Sequence, residues 1–288
     1  MTRRTFLTTA LLTSGITLLP KNIFALQNED TSPYTFIGND TFEALITKAQ
    51  NQKWHLMPLG DLICRIGMSF IKTPYLANSL EKHPEQVIVN LNGMDCVTFV
   101  ENSLNIARQI KAQRYDIATL IENTQQTRYR NGHLDDYASR LHYTADWMYD
   151  NVKKGTWKDV TKELGGVEHK FNFGFMSRNY KKYPMLKDDT TKTLLEKIKA
   201  TEHELNNRTH YIIPNANIKK AQRNIEDGDI VTIAISTDGL DYGHLGIAFN
   251  KQLLHASSVK KEIVVELSID KYIETYKNNI GISVLRPI

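Results

Sequence analysis

The chain is organised around one stretch, Asn92-Gly93-Met94-Asp95-Cys96-Val97-Thr98-Phe99-Val100-Glu101-Asn102. A glycine-containing turn leads directly into a helix, because Val97, Val100 and Leu104 recur with the spacing of one buried helical face. Cys96 would therefore lie at the N-terminus of that helix. Free backbone N–H groups and the positive end of the helix dipole stabilise an anion there. The position predicts a lowered thiol pKa and a nucleophilic thiolate, which would still need a base.

The first 25 residues have the composition of a cleavable export signal. Arg3 and Arg4 precede a mildly apolar run over 6–19, and no acidic residue occurs before Ala25. That run is too short to span a bilayer, which takes about 20 apolar residues. The paired arginines also fit a twin-arginine signal, so the twin-arginine and general secretory routes both stay open. We expect an exported, periplasmic protein without a stable membrane anchor after cleavage.

Charge and cysteine content narrow the function classes. The chain has 36 basic and 32 acidic residues, but Arg3, Arg4 and Lys21 belong to the signal, so the net charge falls from +4 to +1. Such a balance does not indicate a nucleic-acid-binding surface. Cys64 and Cys96 cannot build a disulfide framework, although they could form one bridge or one could be chemically active. The apolar helical pattern around Cys64 favours a buried thiol.

The sequence changes from helical to β texture after Ile225. Residues 26–38 are polar and predict a flexible lead-in, whereas 39–288 is long enough for a single elaborated domain. Helical patterns dominate the first part of that domain, and short β segments follow, which is an α+β order. Their short connections predict an antiparallel meander. The predicted strands are 230–235, 242–249, 253–258, 263–267 and 280–285, with a helix at 269–276.

Three polar or aromatic residues have two possible roles each. Pro74 favours an extended segment in which Tyr75 is either a core residue with its hydroxyl at the rim or a phenol facing the reaction centre. A helical stripe over 137–152 predicts one helix ending at Gly155. Arg140 and His142 point away from that stripe, so they form either a solvated face or a pair that contacts substrate.

Two histidines in the predicted meander suggest where the base comes from. His244 and His255 lie on neighbouring strands joined by a tight turn at Asn250-Lys251. A hairpin brings residues eleven apart close to cross-strand register, so both can lie on one face of the sheet. If that face meets the start of the Cys96 helix, the parts are a thiol, an imidazole that takes its proton, and a second imidazole that orients the first.

Short motifs in chain order resemble the NlpC-type papain-like hydrolases of bacterial cell walls. They are Thr73-Pro74-Tyr75, Asp95-Cys96, Gly228-Asp229-Ile230-Val231, His244-Leu245-Gly246-Ile247 and His255-Ala256. Other segments resemble more closely the N-acetylmuramoyl-L-alanine amidase branch, formerly catalogued as a domain of unknown function. These are residues 92–102, 139–143, 239–241, 255–258 and 285–287. The resemblance implies a papain-like α+β fold, with the nucleophile in an N-terminal helical part and the histidines in a C-terminal antiparallel sheet.

The resemblance also implies roles and a reaction. Cys96 would be the nucleophile, His244 the general base and His255 its orienting partner, while Tyr75 would support the nucleophile or the oxyanion. The implied reaction is cleavage of the amide between N-acetylmuramic acid and L-alanine in peptidoglycan or its fragments, without a metal or cofactor. Asp95-Cys96-Val97-Thr98 departs from the usual Asp-Cys-Ser-Gly, and Tyr75 is unusually far from Cys96; both features fit the amidase branch. Substrate contacts are implied for Asp95, Arg140, His142, Asp241 and Ser257.

Three alternatives stay open at this point. The same chemistry could act on another bond, such as the D-glutamyl-diamino acid bond. One cysteine and two histidines are also acceptable zinc ligands, although the sequence shows no evident fourth ligand. Finally, the chain could be a cell-wall binding protein without activity. Muropeptides are the expected partners in all but the metal-centred alternative, and nucleic acid is not expected.

Overall fold

The β-rich segments of the C-terminal half form the centre of the main sheet. The computed structural model describes residues 34–288, so the predicted export signal and most of the predicted lead-in lie outside the described part. The strands within it are β1 (Tyr34–Ile37), β2 (Val87–Asn90), β3 (Trp157–Asp159), β4 (Val167–His169), β5 (His210–Pro214), β6 (Ile230–Ile235), β7 (Tyr242–Phe249), β8 (Gln252–Ser257), β9 (Glu262–Ser268) and β10 (Asn279–Pro287).

Helices fill most of the chain before that sheet. They are α1 (Asn39–Asn51), α2 (Leu59–Ser69), α3 (Cys96–Lys111), α4 (Ile117–Arg128), α5 (Thr144–Lys153), α6 (Phe175–Arg178), α7 (Pro184–Asp188), α8 (Thr193–Asn206), α9 (Asn215–Ala221) and α10 (Ile269–Glu274). Within residues 34–288, none of them is both long and apolar enough to cross a membrane. The result is a mixed α/β fold of helices and an antiparallel sheet.

The main sheet is antiparallel but is not a simple meander. Its strand order is β4-β5-β10-β6-β7-β8-β9, and β3 also pairs with β10. Strands β6 to β9 follow one another as predicted. The last strand, β10, does not continue beside β9, because α10 carries the chain away and β10 returns to pair with β6. The predicted meander is therefore wrong for β10, which gains neighbours on both of its edges.

Helices cover both faces of the sheet, as the burial of strand β6 shows. All six of its residues are buried, as expected for a strand packed on two sides. Ile230 and Ala234 belong to the larger apolar core with α2 and α3, whereas Val231 and Ile233 belong to a smaller core with α9 and α10. Because α3 packs directly on β7 and β8, the start of α3 lies against the strands that carry the two histidines.

Two predictions made from the sequence are wrong in this region. We expect the lead-in to be loose through residue 38, yet Tyr34–Ile37 forms β1 and pairs in parallel with β2. The single helix predicted from the stripe over 137–152 is broken: Tyr137–Ser139 is a short 3-10 turn, and α5 starts only at Thr144. Asp136 caps that short turn, and a buried ion pair of Arg140 keeps the following segment extended.

The helix α3 is fixed from inside by a buried ion pair. Arg128 and Glu101 are at most 4% exposed, and their charged ends lie 2.7 Å apart. Arg128 also donates to the backbone oxygen of Ile88, while Trp147 donates its indole N–H to Glu101. These contacts tie α3 to α4, α5 and β2 and so hold Cys96 in place relative to the sheet.

Replacing Arg128 by methionine should strongly destabilise the protein. Glu101 would be left in the interior without its cation, which costs about 3–5 kcal/mol in unfolding free energy. Urea unfolding measures the loss. The matched control is Lys199→Met, which removes an ion pair with Glu196 whose side chains are 50% and 66% exposed. That control should change stability by less than about 1 kcal/mol; equal losses in the two variants would contradict the expectation.

Candidate active site

Cys96 is the first residue of α3, as the spacing predicts. Asp95 is the N-cap, and its carboxylate accepts from the backbone N–H of Thr98 at 2.8 Å. Thr98 in turn accepts from the backbone N–H of Asp95 at 2.9 Å, which completes a capping box. The Val97-Thr98 pair that departs from the usual family motif therefore has a local purpose, because Thr98 fixes the turn that presents Cys96.

The predicted lowering of the Cys96 pKa is wrong. Burial, together with the neighbouring Asp95 carboxylate, raises the pKa of the Cys96 thiol to about 12. The backbone N–H groups of Cys96, Val97 and Leu245 act in the opposite direction, but removal of the sulfur from water outweighs them. At neutral pH the resting cysteine is a thiol, so a base must take its proton during the reaction.

Tyr75 lies beside the nucleophile candidate. Its segment is extended, as predicted: Pro74 and Tyr75 bridge to Glu262 and Met94, the residue that precedes Asp95 and Cys96. The phenol lies close to Asp95 and Cys96. Burial, with smaller contributions from Cys96 and Asp95, raises the pKa of Tyr75 to about 12. Tyr75 is therefore a neutral hydroxyl that could donate a hydrogen bond near the sulfur.

The two histidines meet across the β7–β8 hairpin. The Nε2 atom of His244 and the Nδ1 atom of His255 are 2.7 Å apart. The strand register pairs Ile247 with Leu254. One step along this antiparallel pair, Gly246 lies opposite His255, and His244 is the diagonal neighbour of His255. A Cβ atom at Gly246 would lie 2.9 Å from the Cβ of His255, so a glycine is needed for this close approach.

Three residues that the sequence motifs did not single out complete the histidine environment. Glu266 on β9 accepts from Nε2 of His255 at 3.1 Å, and Lys260 binds the other Glu266 oxygen at 2.7 Å. The ring of Tyr272 on α10 stacks on His244 at 5.8 Å and meets the edge of His255 at 4.9 Å. A sequence signal for Glu266 exists: it is the only charged residue inside an otherwise apolar run over 263–267.

Burial keeps both imidazoles neutral. Removal from water, with a smaller contribution from His255, lowers the pKa of His244 to about 3. Burial also lowers the pKa of His255, even though Glu266 acts in the opposite direction. A neutral imidazole has one nitrogen with a free lone pair and can accept a proton. His244 is thus neutral in the resting site, and its free nitrogen can accept a proton.

The thiol lies beside the strand that carries His244. The Cys96 sulfur lies against the backbone N–H of Leu245, the residue that follows His244. Tyr272, which contacts both imidazoles, is also close enough to Cys96 for a charge on the sulfur to raise the pKa of the Tyr272 phenol. Beyond His244 and Tyr272 opens a cleft of about 420 Å³. It is lined by apolar side chains of β6 and by polar groups that include Ser258, Tyr276, Asn278 and Asn279.

Arg140 and His142 lie apart from this constellation. Arg140 is 7% exposed and is held by Glu81 at 2.8 Å and Glu85 at 2.7 Å, so the reading as a solvated face is wrong. His142 donates to the backbone oxygen of Tyr137 at 2.7 Å, and burial lowers its pKa to about 3. Both side chains stabilise the extended segment before α5. A contact of either residue with substrate stays a prediction.

The remaining predicted binding residues have backbone partners. Asp241 is buried and accepts from the N–H of Ala145 at 2.7 Å, which caps α5 from a distant part of the chain. Ser257, two residues after His255, accepts from the N–H of Lys260 at 3.1 Å and shapes the turn beside the cleft. Asp95 has the capping role described above. These contacts account for the three side chains, and their binding of substrate stays a prediction.

The metal and disulfide alternatives find no matching geometry. Among residues 34–288, no group of three or more His, Cys, Asp and Glu side chains is arranged to hold a metal ion. Both ring nitrogens of His255 are already engaged by His244 and Glu266. Cys64 and Cys96 are both free thiols. Cys64 is buried in α2, as predicted, and donates to the backbone oxygen of Ala248 at 3.3 Å.

Comparison with known proteins places the chain in a family. The family model described as AmiA-like, N-acetylmuramoyl-L-alanine amidase-like, matches residues 65–282. Among solved structures, an N-acetylmuramoyl-L-alanine amidase from Bacteroides uniformis ATCC 8492 is 32% identical, with a TM-score of 0.75, and the match covers 80% of this chain and 99% of that chain. No curated protein sequence matches the chain.

Two further structures extend the comparison. A Bacteroides fragilis protein named as a candidate xylanase is 31% identical, with a TM-score of 0.69, over 77% of this chain and 99% of that chain. A Legionella pneumophila protein is 21% identical, with a TM-score of 0.64, over 87% of this chain and 94% of that chain, and shows likeness of fold alone. From the family match and the Bacteroides uniformis structure together, the chain belongs to the N-acetylmuramoyl-L-alanine amidase-like family of cell-wall hydrolases.

Proposed function

We propose that this protein is a cysteine-dependent N-acetylmuramoyl-L-alanine amidase with a papain-like, NlpC-type arrangement. One observation carries the proposal: the Cys96 thiol, at the start of α3, lies beside the β7–β8 hairpin in which Nε2 of His244 and Nδ1 of His255 are 2.7 Å apart. A thiol, a neutral imidazole and a second group that orients the imidazole are the parts of a cysteine hydrolase. Family membership supplies the class of bond.

The reaction follows from these positions. His244 takes the Cys96 proton as the sulfur attacks the carbonyl carbon of the lactyl–alanine amide, and a C–S bond forms. Backbone N–H groups at the start of α3, with the hydroxyl of Tyr75, stabilise the developing oxyanion. His244 then gives its proton to the alanine nitrogen as the C–N bond breaks. Water, activated by His244, hydrolyses the thioester and restores the thiol.

The cleft beside His244 suits the departing peptide. It is lined by His244 itself, so a group bound there lies close to the imidazole that must protonate the leaving amine. Apolar side chains of Ile235 and Leu240 could contact the alanine methyl group, and the amide of Asn278 offers a donor and an acceptor to a peptide backbone. We assign the cleft to the stem peptide that begins with L-alanine.

Two other hydrolytic functions are less well supported. Glycoside cleavage, suggested by the name of the Bacteroides fragilis relative, uses a pair of carboxylates that flank the bond. Here the Asp95 carboxylate caps α3, and the Glu266 carboxylate is bound by His255 and Lys260. Neither carboxylate is therefore free for that role. Cleavage of a D-glutamyl-diamino acid bond would use the same thiol and histidines, and the experiment below separates it.

The location of the protein is also a proposal. The Arg3-Arg4 pair and the apolar run that follows motivate export to the periplasm, where peptidoglycan fragments occur. Muropeptides would then be available without transport across the inner membrane. Fractionation of cells that produce the full chain, followed by N-terminal sequencing of the mature protein, tests this; retention of residues 1–25 in the cytoplasm would contradict it.

Mass spectrometry of defined muropeptides tests the bond. We expect the mature protein to release a free stem peptide beginning at L-alanine, together with the intact N-acetylmuramic acid residue. Fragments cut between D-glutamate and the diamino acid would instead establish the endopeptidase. The control substrate is the same muropeptide with its L-alanine nitrogen methylated, which should resist cleavage because the modification crowds the attacked bond. Equal cleavage of both substrates at an internal bond would overturn the proposed amidase function.

A further inference from the structure

A chain of polar contacts extends behind the two histidines to the surface. His244 contacts Nδ1 of His255 at 2.7 Å, and Nε2 of His255 contacts Glu266 at 3.1 Å. Lys260 holds the second oxygen of Glu266 at 2.7 Å. The exposure rises along this chain, since His255 is fully buried, Glu266 is 18% exposed and Lys260 is 53% exposed. The buried imidazoles are therefore anchored to an ion pair at the edge of the sheet.

The ion pair fixes which nitrogen of each histidine carries a proton. Lys260 and His255 lower the pKa of Glu266, so its carboxylate is ionised and can only accept hydrogen bonds. Nε2 of His255 must therefore carry the N–H that points to it. Because His255 is neutral, its Nδ1 then has a free lone pair and accepts from Nε2–H of His244. The one nitrogen of His244 left with a lone pair is Nδ1.

We propose that Glu266, supported by Lys260, is a positioning residue that holds both histidines in the tautomer in which Nδ1 of His244 is the base. This inference rests on the proposed function and deepens it, because it names the atom that takes the Cys96 proton. Glu266 acts through His255 and touches neither Cys96 nor the cleft. Tyr272 contacts both imidazoles through its aromatic ring, whereas the Glu266 carboxylate makes the hydrogen bond that selects the tautomer.

Without Glu266 the two imidazoles could exchange roles. Nδ1–H of His255 could then donate to Nε2 of His244, which would place the His244 proton on Nδ1, the nitrogen that should accept from the thiol. Such a molecule would bind substrate but would need a tautomer change before each turnover. The expected loss is thus in kcat, with KM unchanged. Groups that orient a reactive imidazole contribute roughly 10–100-fold to activity.

Nitrogen-15 NMR of histidine-labelled protein reads the tautomers directly. In the wild type, long-range proton–nitrogen correlations should show protonated Nε2 and unprotonated Nδ1 for both His244 and His255. Glu266→Ala should give a protonated Nδ1 in at least one of them and lower kcat about 10–100-fold. Glu266→Gln keeps an oxygen acceptor and should retain the wild-type nitrogen pattern, with kcat within roughly threefold, because a neutral acceptor is weaker than a charged one.

Matched controls separate positioning from a general loss of structure. Glu274→Ala removes a Glu–Lys ion pair of the same composition on α10, with Lys271, that does not touch a histidine. It should leave both tautomers and kcat unchanged. A wild-type nitrogen pattern in Glu266→Ala, or a kcat within twofold of the wild type, would overturn the inference. Failure of the proposed function would appear differently, as full activity of a Cys96→Ala variant in which the histidine tautomers are intact.

Discussion

Cys96→Ala abolishes cleavage of muropeptides while the protein keeps its fold: this is the largest effect we expect. Without the sulfur no thioester can form, and only binding and oxyanion stabilisation would be left to accelerate hydrolysis. Removing the nucleophile of a catalytic triad typically costs on the order of 10⁴–10⁶ in kcat. The variant should keep its melting temperature within a few degrees, since Cys96 is only partly buried and packs at the margin of the larger apolar core. Product release followed by chromatography, over hours, measures the loss.

Cys64 provides the matched control for that variant. It is the other free thiol, but it is 4% exposed and its hydrogen goes to the backbone of Ala248. Cys64→Ala should therefore lose on the order of 1 kcal/mol of unfolding free energy and retain full kcat. Iodoacetamide should label Cys96 before Cys64, because Cys96 is the more accessible of the two thiols. Labelling should become faster as the pH rises, because only the thiolate reacts. Loss of activity in Cys64→Ala and retention in Cys96→Ala would reverse the assignment of the nucleophile.

The sequence predicts the start of α3 at Cys96 and the meeting of the two histidines, for local reasons. The capped helix start places Cys96 through contacts within four residues, and a tight turn places His244 and His255 through hairpin geometry. Both features depend on neighbours along the chain. Glu266 and Tyr272 reach the same site through the pairing of β9 with β8 and the packing of α10, which motifs do not encode. The raised Cys96 pKa is a similar case, because burial of the sulfur depends on how α3 meets the sheet.

The errors in the fold have a related cause. The helix predicted from the stripe over 137–152 rests on a correct apolar spacing, but the spacing cannot reveal that Glu85 and Glu81 will pair with Arg140. The short strands β3 and β4 have three residues each, too few for an alternating pattern to emerge. The pairing of β10 with β6 depends on contacts between residues far apart in the sequence. In each instance a contact between distant residues outweighs the local preference.

His244→Ala should cause the second-largest loss, about 10²–10⁴-fold in kcat/KM, the usual contribution of a general base. Because burial raises the pKa of Cys96 to about 12, few sulfurs would ionise at neutral pH without an imidazole to take the proton. Steady-state kinetics at pH 7 measure the effect. The matched control is His210→Ala: burial lowers the pKa of His210 too, but its ring bonds to the backbone of Leu205, far along the chain from the thiol. That variant should retain wild-type kcat/KM.

The dependence of wild-type kcat/KM on pH at low pH also tests His244 as the base. His244 acts only when unprotonated, and burial lowers its pKa to about 3, so kcat/KM should stay level from pH 7 downward and fall only as the pH approaches 3. An ordinary histidine would give a fall near 6.5. The unfolded chain binds protons on His244 below pH 6.5 that the native state does not, so stability also decreases as the pH falls through that range. Circular dichroism at each pH therefore accompanies the kinetics, and a fall of kcat/KM near pH 6.5 in fully folded protein would mean that a different, solvent-exposed group is the base.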